Sequence, residues 1–222
     1  NGTKRVERVE LEGQVIWVKR PEMMGLRLRL QKGDPIQAFK DEVSAYHQMR
    51  EAGVPVPKLV AEGANFIALA DSGPVIRFLM QHPPMDADIK AVVTDAASAL
   101  GQMHALGQIH GRPAIKDICW KDGQVTFLDF ERSARARDNL KGQAEDLIVF
   151  IASLVARNAD DDMLQAAKAA YVNANSAAVI DAAKGLLQRR RWWLTALAPF
   201  MPFLKSKREF AALKPTFDFF LR

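Results

Sequence analysis

Between residues 110 and 131 the chain reads His110-Gly111-Arg112-Pro113-Ala114-Ile115-Lys116-Asp117, and twelve residues after Asp117 comes Asp129-Phe130-Glu131. Two carboxylates brought close together repel unless a cation lies between them. Donors that are all oxygen suit a hard cation such as Mg²⁺ or Mn²⁺. Arg112 carries a charge that persists at any working pH, so it can steady an anion but cannot accept a proton. His110 reads as a structural imidazole bonded to backbone near Asp129, with proton transfer as the other use of the same ring. Further upstream, Lys19 closes an apolar run and Glu42 lies in a helical stretch. Taken alone, those two could be an ordinary surface ion pair.

These residues need elements to hold them. Val6–Leu11 mixes apolar and polar residues as a half-buried strand does, Glu12-Gly13-Gln14 is a turn, and Val15–Arg20 is a second, more apolar strand ended by Pro21. Pro35 opens a helix with Phe39, Val43, Tyr46 and Met49 on one face, and Gly53 and Pro55 stop it. Strand-like pieces follow at Lys58–Ala61 and Phe66–Ala70, before Asp71-Ser72-Gly73-Pro74 breaks the pattern. From Asp86 onward the chain turns helical. Ile89, Val93, Ala96, Leu100 and Met103 mark one face of a long helix ending near Gly107. Cys119-Trp120, a Lys121-Asp122-Gly123 turn and the strand Val125–Leu128 then separate the two carboxylates. Leu147–Val155 is apolar almost all round, as a helix inside a helical lobe would be, and more helices fill 160–190. Strands first and helices later predict an α+β protein of two lobes. The expected division is near residue 78, with 1–78 a small strand-rich N-lobe carrying one helix and 79–222 a helical C-lobe.

With its elements placed, the chain resembles the protein kinase-like fold from about Val6 to Arg157. The resemblance rests on order and spacing. His110 and Asp117 fit a His-x-Asp-x-x-x-x-Asn loop, with Asp117 at the Asn position and Arg112 where that loop has its Asp. Asp129-Phe130-Glu131 fits the following Asp-Phe-Gly turn. Met103-His104-Ala105-Leu106-Gly107-Gln108-Ile109-His110-Gly111 is similar to the LHxxGxxHGD run of small bacterial kinases, and Asp146-Leu147 to the pair that opens the buried helix bracing the loop. The small size and the Phe127–Glu131 turn favour the lipopolysaccharide kinase group, which phosphorylates Kdo or heptose sugars of lipid-linked saccharides. The resemblance implies that Lys19 meets the α- and β-phosphates of ATP, that Glu42 orients Lys19, and that Asp117 and Asp129 hold Mg²⁺ or Mn²⁺. Arg112 would then contact phosphate or an anionic acceptor, and His110 would belong to the catalytic loop. Glu131 is either a carboxylate near the metal or a polar residue where Gly is usual. Arg132, Arg135, Arg137 and Lys141 either receive an anionic acceptor or form a solvated loop.

Two departures qualify what the resemblance implies. No Gly-x-Gly-x-x-Gly loop precedes Val6, where Gly2 is the one upstream glycine. Arg112 also removes the group that orients or deprotonates the acceptor. A positioned base typically contributes about 10²–10⁴-fold, so its loss leaves either a slow phosphotransferase or a pseudokinase, a nucleotide-binding scaffold without turnover.

Bulk composition narrows partners and location. Of the net charge of +5, residues 184–222 contribute nine Lys/Arg against two Asp/Glu, or +7, which leaves −2 for residues 1–183. A general nucleic-acid binder would carry a basic stripe through its body, and this chain has none. The single cysteine, Cys119, reads as a small buried hydrophobe and fits a reducing, cytoplasmic compartment. No apolar run reaches the ~20 residues that span a bilayer, and no signal-peptide pattern opens the sequence, which begins at Asn1. Three arginines beside Trp192 and Trp193, then Phe200 and Phe203 closed by Lys205, Lys207 and Arg208, suit either peripheral contact with an anionic leaflet or packing on the C-lobe.

Overall fold

Two hairpins share one turn chemistry. In a computed structural model describing residues 5–21, 34–86, 88–130, 139–197 (190–197 as backbone) and 211–222, β1 (Val6–Leu11) and β2 (Gln14–Lys19) flank Glu12-Gly13. Strands β5 (Ile118–Lys121) and β6 (Gln124–Phe127) flank Asp122-Gly123. All four turn residues have positive φ, at 51° and 75° in the first loop and 50° and 79° in the second. Two-residue loops with both φ values positive match the twist of the strands they join, and glycine takes that conformation without steric penalty.

The N-terminal sheet has the order β1-β2-β4-β3, antiparallel throughout, with β3 (Leu59–Gly63) and β4 (Phe66–Ala70). Pairing of β2 with β4 sets Lys19 opposite Ile67. Helix α1 (Pro35–Glu51) starts where Asp34 caps Ile36 N at 3.0 Å and Pro35 occupies the first turn, where a missing N–H costs nothing. Its packed face carries Phe39, Glu42, Ala45, Tyr46 and Met49, with Val43 half-buried beside them. Phe39 and Tyr46 meet Ile67 of the sheet.

Between sheet and helices lies α2 (Ile76–Gln81), a short helix the sequence pattern did not predict. Helix α3 (Ile89–Ala105) is the long helix expected from its apolar face, capped by Asp88 on Lys90 N and Ala91 N. Then come the loop, β5–β6, α4 (Asn139–Val155), α5 (Asp161–Ala174), α6 (Ala178–Leu197) and α7 (Leu213–Leu221). Their core includes Val93, Leu100 and Met103 of α3, Leu147, Phe150 and Leu154 of α4, Tyr171 of α5 and Phe220 of α7. Helices α3 and α5 approach closely at Gly101, where a Cβ would lie 2.8 Å from the Tyr171 carbonyl oxygen and 2.9 Å from Ala174 Cβ. The architecture is the bilobal kinase-like α+β fold. Among the described residues, no helix is long and apolar enough to cross a membrane.

Candidate active site

Lys19 ends β2 and points across the sheet face to α1, where its Nζ donates to Glu42 Oε1. Arg5 Nη2 donates to the other oxygen, Glu42 Oε2, at 3.3 Å. Glu42 is only 7% exposed although it is a carboxylate, so the two cations offset the cost of burying it. Sequence reasoning foresaw Lys19 with Glu42 but not Arg5, which precedes β1 and lies 37 residues from its partner. The pair lines a cavity of about 280 Å³ with Trp17 and Ile67 on the sheet side and Cys119 and Asp129 on the other. Cys119 is buried as expected, and burial pushes its thiol up to about 12. Neither Asp117 nor Arg112 is part of that lining.

The opposite side of the cleft is set by backbone bonds around the loop. Asp117 N donates to Ala114 O at 2.7 Å, and Leu128 N donates to Asp117 O at 2.8 Å. The second bond ties the loop to the strand end preceding Asp129, so both carboxylates are anchored to one piece of scaffold. Burial raises the Asp117 carboxyl above its ordinary value; Lys116, 3.2 Å away, opposes this and the negative charge of Asp129 adds to it. Asp129 has φ +66° and a buried Oδ1 without a hydrogen-bond partner. A non-glycine residue held there is strained by steric contact, which is common where geometry serves a ligand.

His110 is fully buried between rings, 5.9 Å from Phe127 and 5.1 Å from Phe130 by centroid. Its Nδ1 accepts from Arg112 N at 3.4 Å. The Leu128 backbone lies near enough to favour a proton on the ring, yet Nε2 has no partner in hydrogen-bonding geometry. Burial dominates and lowers the imidazole pKa, with the charges of Asp146, Asp117 and Asp129 opposing. This environment suits a structural ring better than a proton carrier. Asp146 of α4 is 1% exposed, and its carboxylate accepts from His110 N at 2.8 Å and Gly111 N at 2.9 Å. Arg112 is exposed, and among the described residues it forms no ion pair with Asp117 or Asp129.

Whether this site fits a divalent cation can be judged from its donors. Asp117 and Asp129 supply only oxygen, the negative charge of Asp129 bears on the Asp117 carboxyl, and Asp129 Oδ1 is an unsatisfied buried acceptor. Those features fit a hard cation. Among the described residues no group of three His, Cys, Asp or Glu gathers around a common point, so the two carboxylates would carry it. Glu131, Arg132, Arg135 and Arg137 lie outside the described residues, and Lys141 is exposed on α4. Trp192 and Trp193 fall where only the α6 backbone is described, and the segment from Ala198 to Phe210 lies outside the description.

Comparison with known proteins decides the relationship. Residues 74–182, which hold the loop, both carboxylates and Asp146, match the lipopolysaccharide kinase (Kdo/WaaP) family. A Haemophilus influenzae protein described as uncharacterized is 30% identical over 220 residues, covering 98% of this chain and 90% of that protein. The chain belongs to the lipopolysaccharide kinase family. Subunit Bud32 of the KEOPS complex of Pyrococcus abyssi is 26% identical over 132 residues, 58% of this chain and 57% of that protein. Membership in the Kdo/WaaP family agrees with a kinase-type phosphotransfer centre, and the weaker likeness to Bud32 agrees with the kinase-like fold.

Proposed function

We propose that this chain is an ATP- and Mg²⁺- or Mn²⁺-dependent phosphotransferase acting on a hydroxyl of a small or lipid-linked saccharide. One observation carries the reading: the Lys19–Glu42 pair and the Asp129 carboxylate line a single cavity from opposite sides. Lys19 binds the α- and β-phosphates while Glu42 fixes its ammonium. Asp117 and Asp129 hold the cation, which when bound neutralises charge on the phosphate oxygens. His110 packs the loop against Phe130, and Asp146 grips the loop amides. Exposed Arg112 supplies a positive charge to the transferred phosphate or to an anionic acceptor. Since a guanidinium cannot take the acceptor's proton, turnover is expected to be slow beside that of an enzyme with a base in this position. The lobes are proposed to divide near residue 78, within α2. A lipid-linked acceptor would place the protein at the cytoplasmic face of the membrane, with the basic and aromatic tail as its contact with anionic lipid.

Arg112 also supports a second reading, a pseudokinase that binds nucleotide without turnover. Calorimetry with ATP and Mg²⁺ or Mn²⁺, followed by mass spectrometry of lipid-saccharide pools incubated with both, separates the two. Binding with a phosphorylated saccharide supports the enzyme, and binding without any product supports the scaffold. Absence of nucleotide binding at millimolar ATP overturns both.

A further inference from the structure

Around His104, on the last turn of α3, five buried or half-buried polar groups close a ring whose donor directions can be derived. The His104 carbonyl oxygen can only accept, so the Gln143 atom 3.1 Å from it is Nε2. That amide's second hydrogen goes to Asn139 Oδ1 at 2.7 Å. Gln143 Oε1 therefore faces Asn175, and the Asn175 atom 3.0 Å away is Nδ2. The same Nδ2 lies 3.0 Å from the Tyr171 hydroxyl and donates to it. With its oxygen accepting from Asn175, the phenol has its own proton left to give, and His104 Nδ1 stands 2.6 Å away. Burial pushes the Tyr171 phenol pKa up, so that proton stays on. Nε2 of the same imidazole, 3.3 Å from Asp146 Oδ2, then carries the ring's hydrogen. A doubly protonated ring would leave the fully buried Tyr171 proton without an acceptor, which costs more than a net hydrogen bond is worth.

We infer that Tyr171, Asn175 and Gln143 are positioning residues for the catalytic loop: they fix His104 as the neutral Nε2–H tautomer, which aims the Asp146 carboxylate at the amides of His110 and Gly111. This rests on the kinase reading of that loop. The relay runs from α5 through α3 to α4 and reaches the loop without touching the cleft, since none of its members lines the cavity. It satisfies every hydrogen of the Gln143 and Asn175 amides, so there is one consistent direction for the whole ring. Phosphotransfer depends on positioning, so loosening the loop should slow the chemical step while leaving nucleotide affinity unchanged.

The test uses the full chain labelled with ¹⁵N-histidine, the His104 signals being identified by their loss in His104→Gln. Long-range ¹H–¹⁵N spectra should show His104 as neutral, with the proton on Nε2 and an accepting Nδ1. In Tyr171→Phe the Nδ1 resonance should move toward that of an unbonded nitrogen, and amide exchange at His110 and Gly111 should quicken. The kcat for ATP consumption should fall about tenfold, the equivalent of one lost hydrogen bond, with KM for ATP within about twofold. Asn175→Ala, which leaves the Tyr171 ring in place, should give the same pattern more weakly and serves if Tyr171→Phe fails to fold. A wild-type His104 protonated on Nδ1, or variants with unchanged Nδ1 shift and loop exchange, overturns the inference. If the wild type neither binds nor consumes ATP, the kinase reading fails on that result alone, while the spectra and exchange rates still decide the relay.

Discussion

Two polar clusters sit on either side of the same loop, and they are built on opposite terms. Around Asp146 the carboxylate meets His104, His110 N and Gly111 N, and the ring through Tyr171, Asn175 and Gln143 leaves no hydrogen idle. Around Asp129 and His110, by contrast, Asp129 Oδ1 and His110 Nε2 are buried without partners, Asp129 is strained, and Asp117 is lifted by burial. A native fold tolerates unsatisfied buried groups where something else is meant to meet them. The first cluster is therefore a support and the second a place where the fold alone is incomplete.

Removing one carboxylate from each cluster should separate them most sharply. Asp146→Ala leaves two amides and His104 without their acceptor and should cost about 3–5 kcal/mol. In a chain of 222 residues that is a melting temperature about 10 °C lower, measurable by scanning fluorimetry. Asp129→Ala should change stability by less than about 1 kcal/mol, because it relieves an unpartnered acceptor. The same variant should abolish the stabilisation that millimolar Mg²⁺ and ATP give the wild type. A melting point lowered as much by Asp129→Ala as by Asp146→Ala would erase the distinction.

A somewhat smaller effect is expected of Lys19→Ala, which should weaken ATP binding about 10- to 100-fold by calorimetry through loss of a charge-assisted phosphate contact. Stability should fall only modestly, by about 1 kcal/mol, since Lys19 is partly open to solvent and Arg5 still meets the buried Glu42. If instead Lys19→Ala unfolds the sheet without affecting nucleotide, the pair belongs with the supporting cluster.

Acidity tests the incomplete cluster from another direction. The Asp117 carboxyl is raised above 3.8 in the folded chain, so the folded state holds a proton there that the unfolded state has released. Its ionised form is a cost near neutrality, and that cost fades as pH falls through the folded value toward 3.8. His110, lowered from 6.5, acts in the opposite sense, and its contribution is lost as pH falls below 6.5 because the unfolded ring gains a proton first. Denaturant titrations should find Asp117→Asn more stable than wild type at pH 7, with the gap closing on acidification. A gap that widens would mean that Asp117 is favourably ionised in the fold.

The hairpins, α1, α3 and the buried stretch of α4 were legible because period and punctuation are local properties. So was the pairing of Lys19 with Glu42, although only through the family pattern, since neither residue signals the other across 23 positions. Helix α2 escaped because six residues after Pro74 are too few to show a 3.6 period. Helix α7 follows a segment of prolines and cations that does not announce it. His104 showed in the sequence only as part of the Met103–Gly111 run; it is buried, and its bond to Tyr171 spans 67 positions. Buried polar rings have no periodic signature, so only the fold brings their members together.

Gly101 gives the supporting cluster a mechanical dimension. Two helices meet there at a separation that a single added methyl would violate, against Tyr171 backbone oxygen on one side and Ala174 on the other. Any wedge at that crossing would lift the hydroxyl of Tyr171 from its histidine by a fraction of an ångström. The spacing of α3 and α5 is thus a tuning screw remote from substrate. Gly101→Ala, then Gly101→Ser, would make a graded series in which the His104–Tyr171 bond loosens while the lining of the cavity remains wild type.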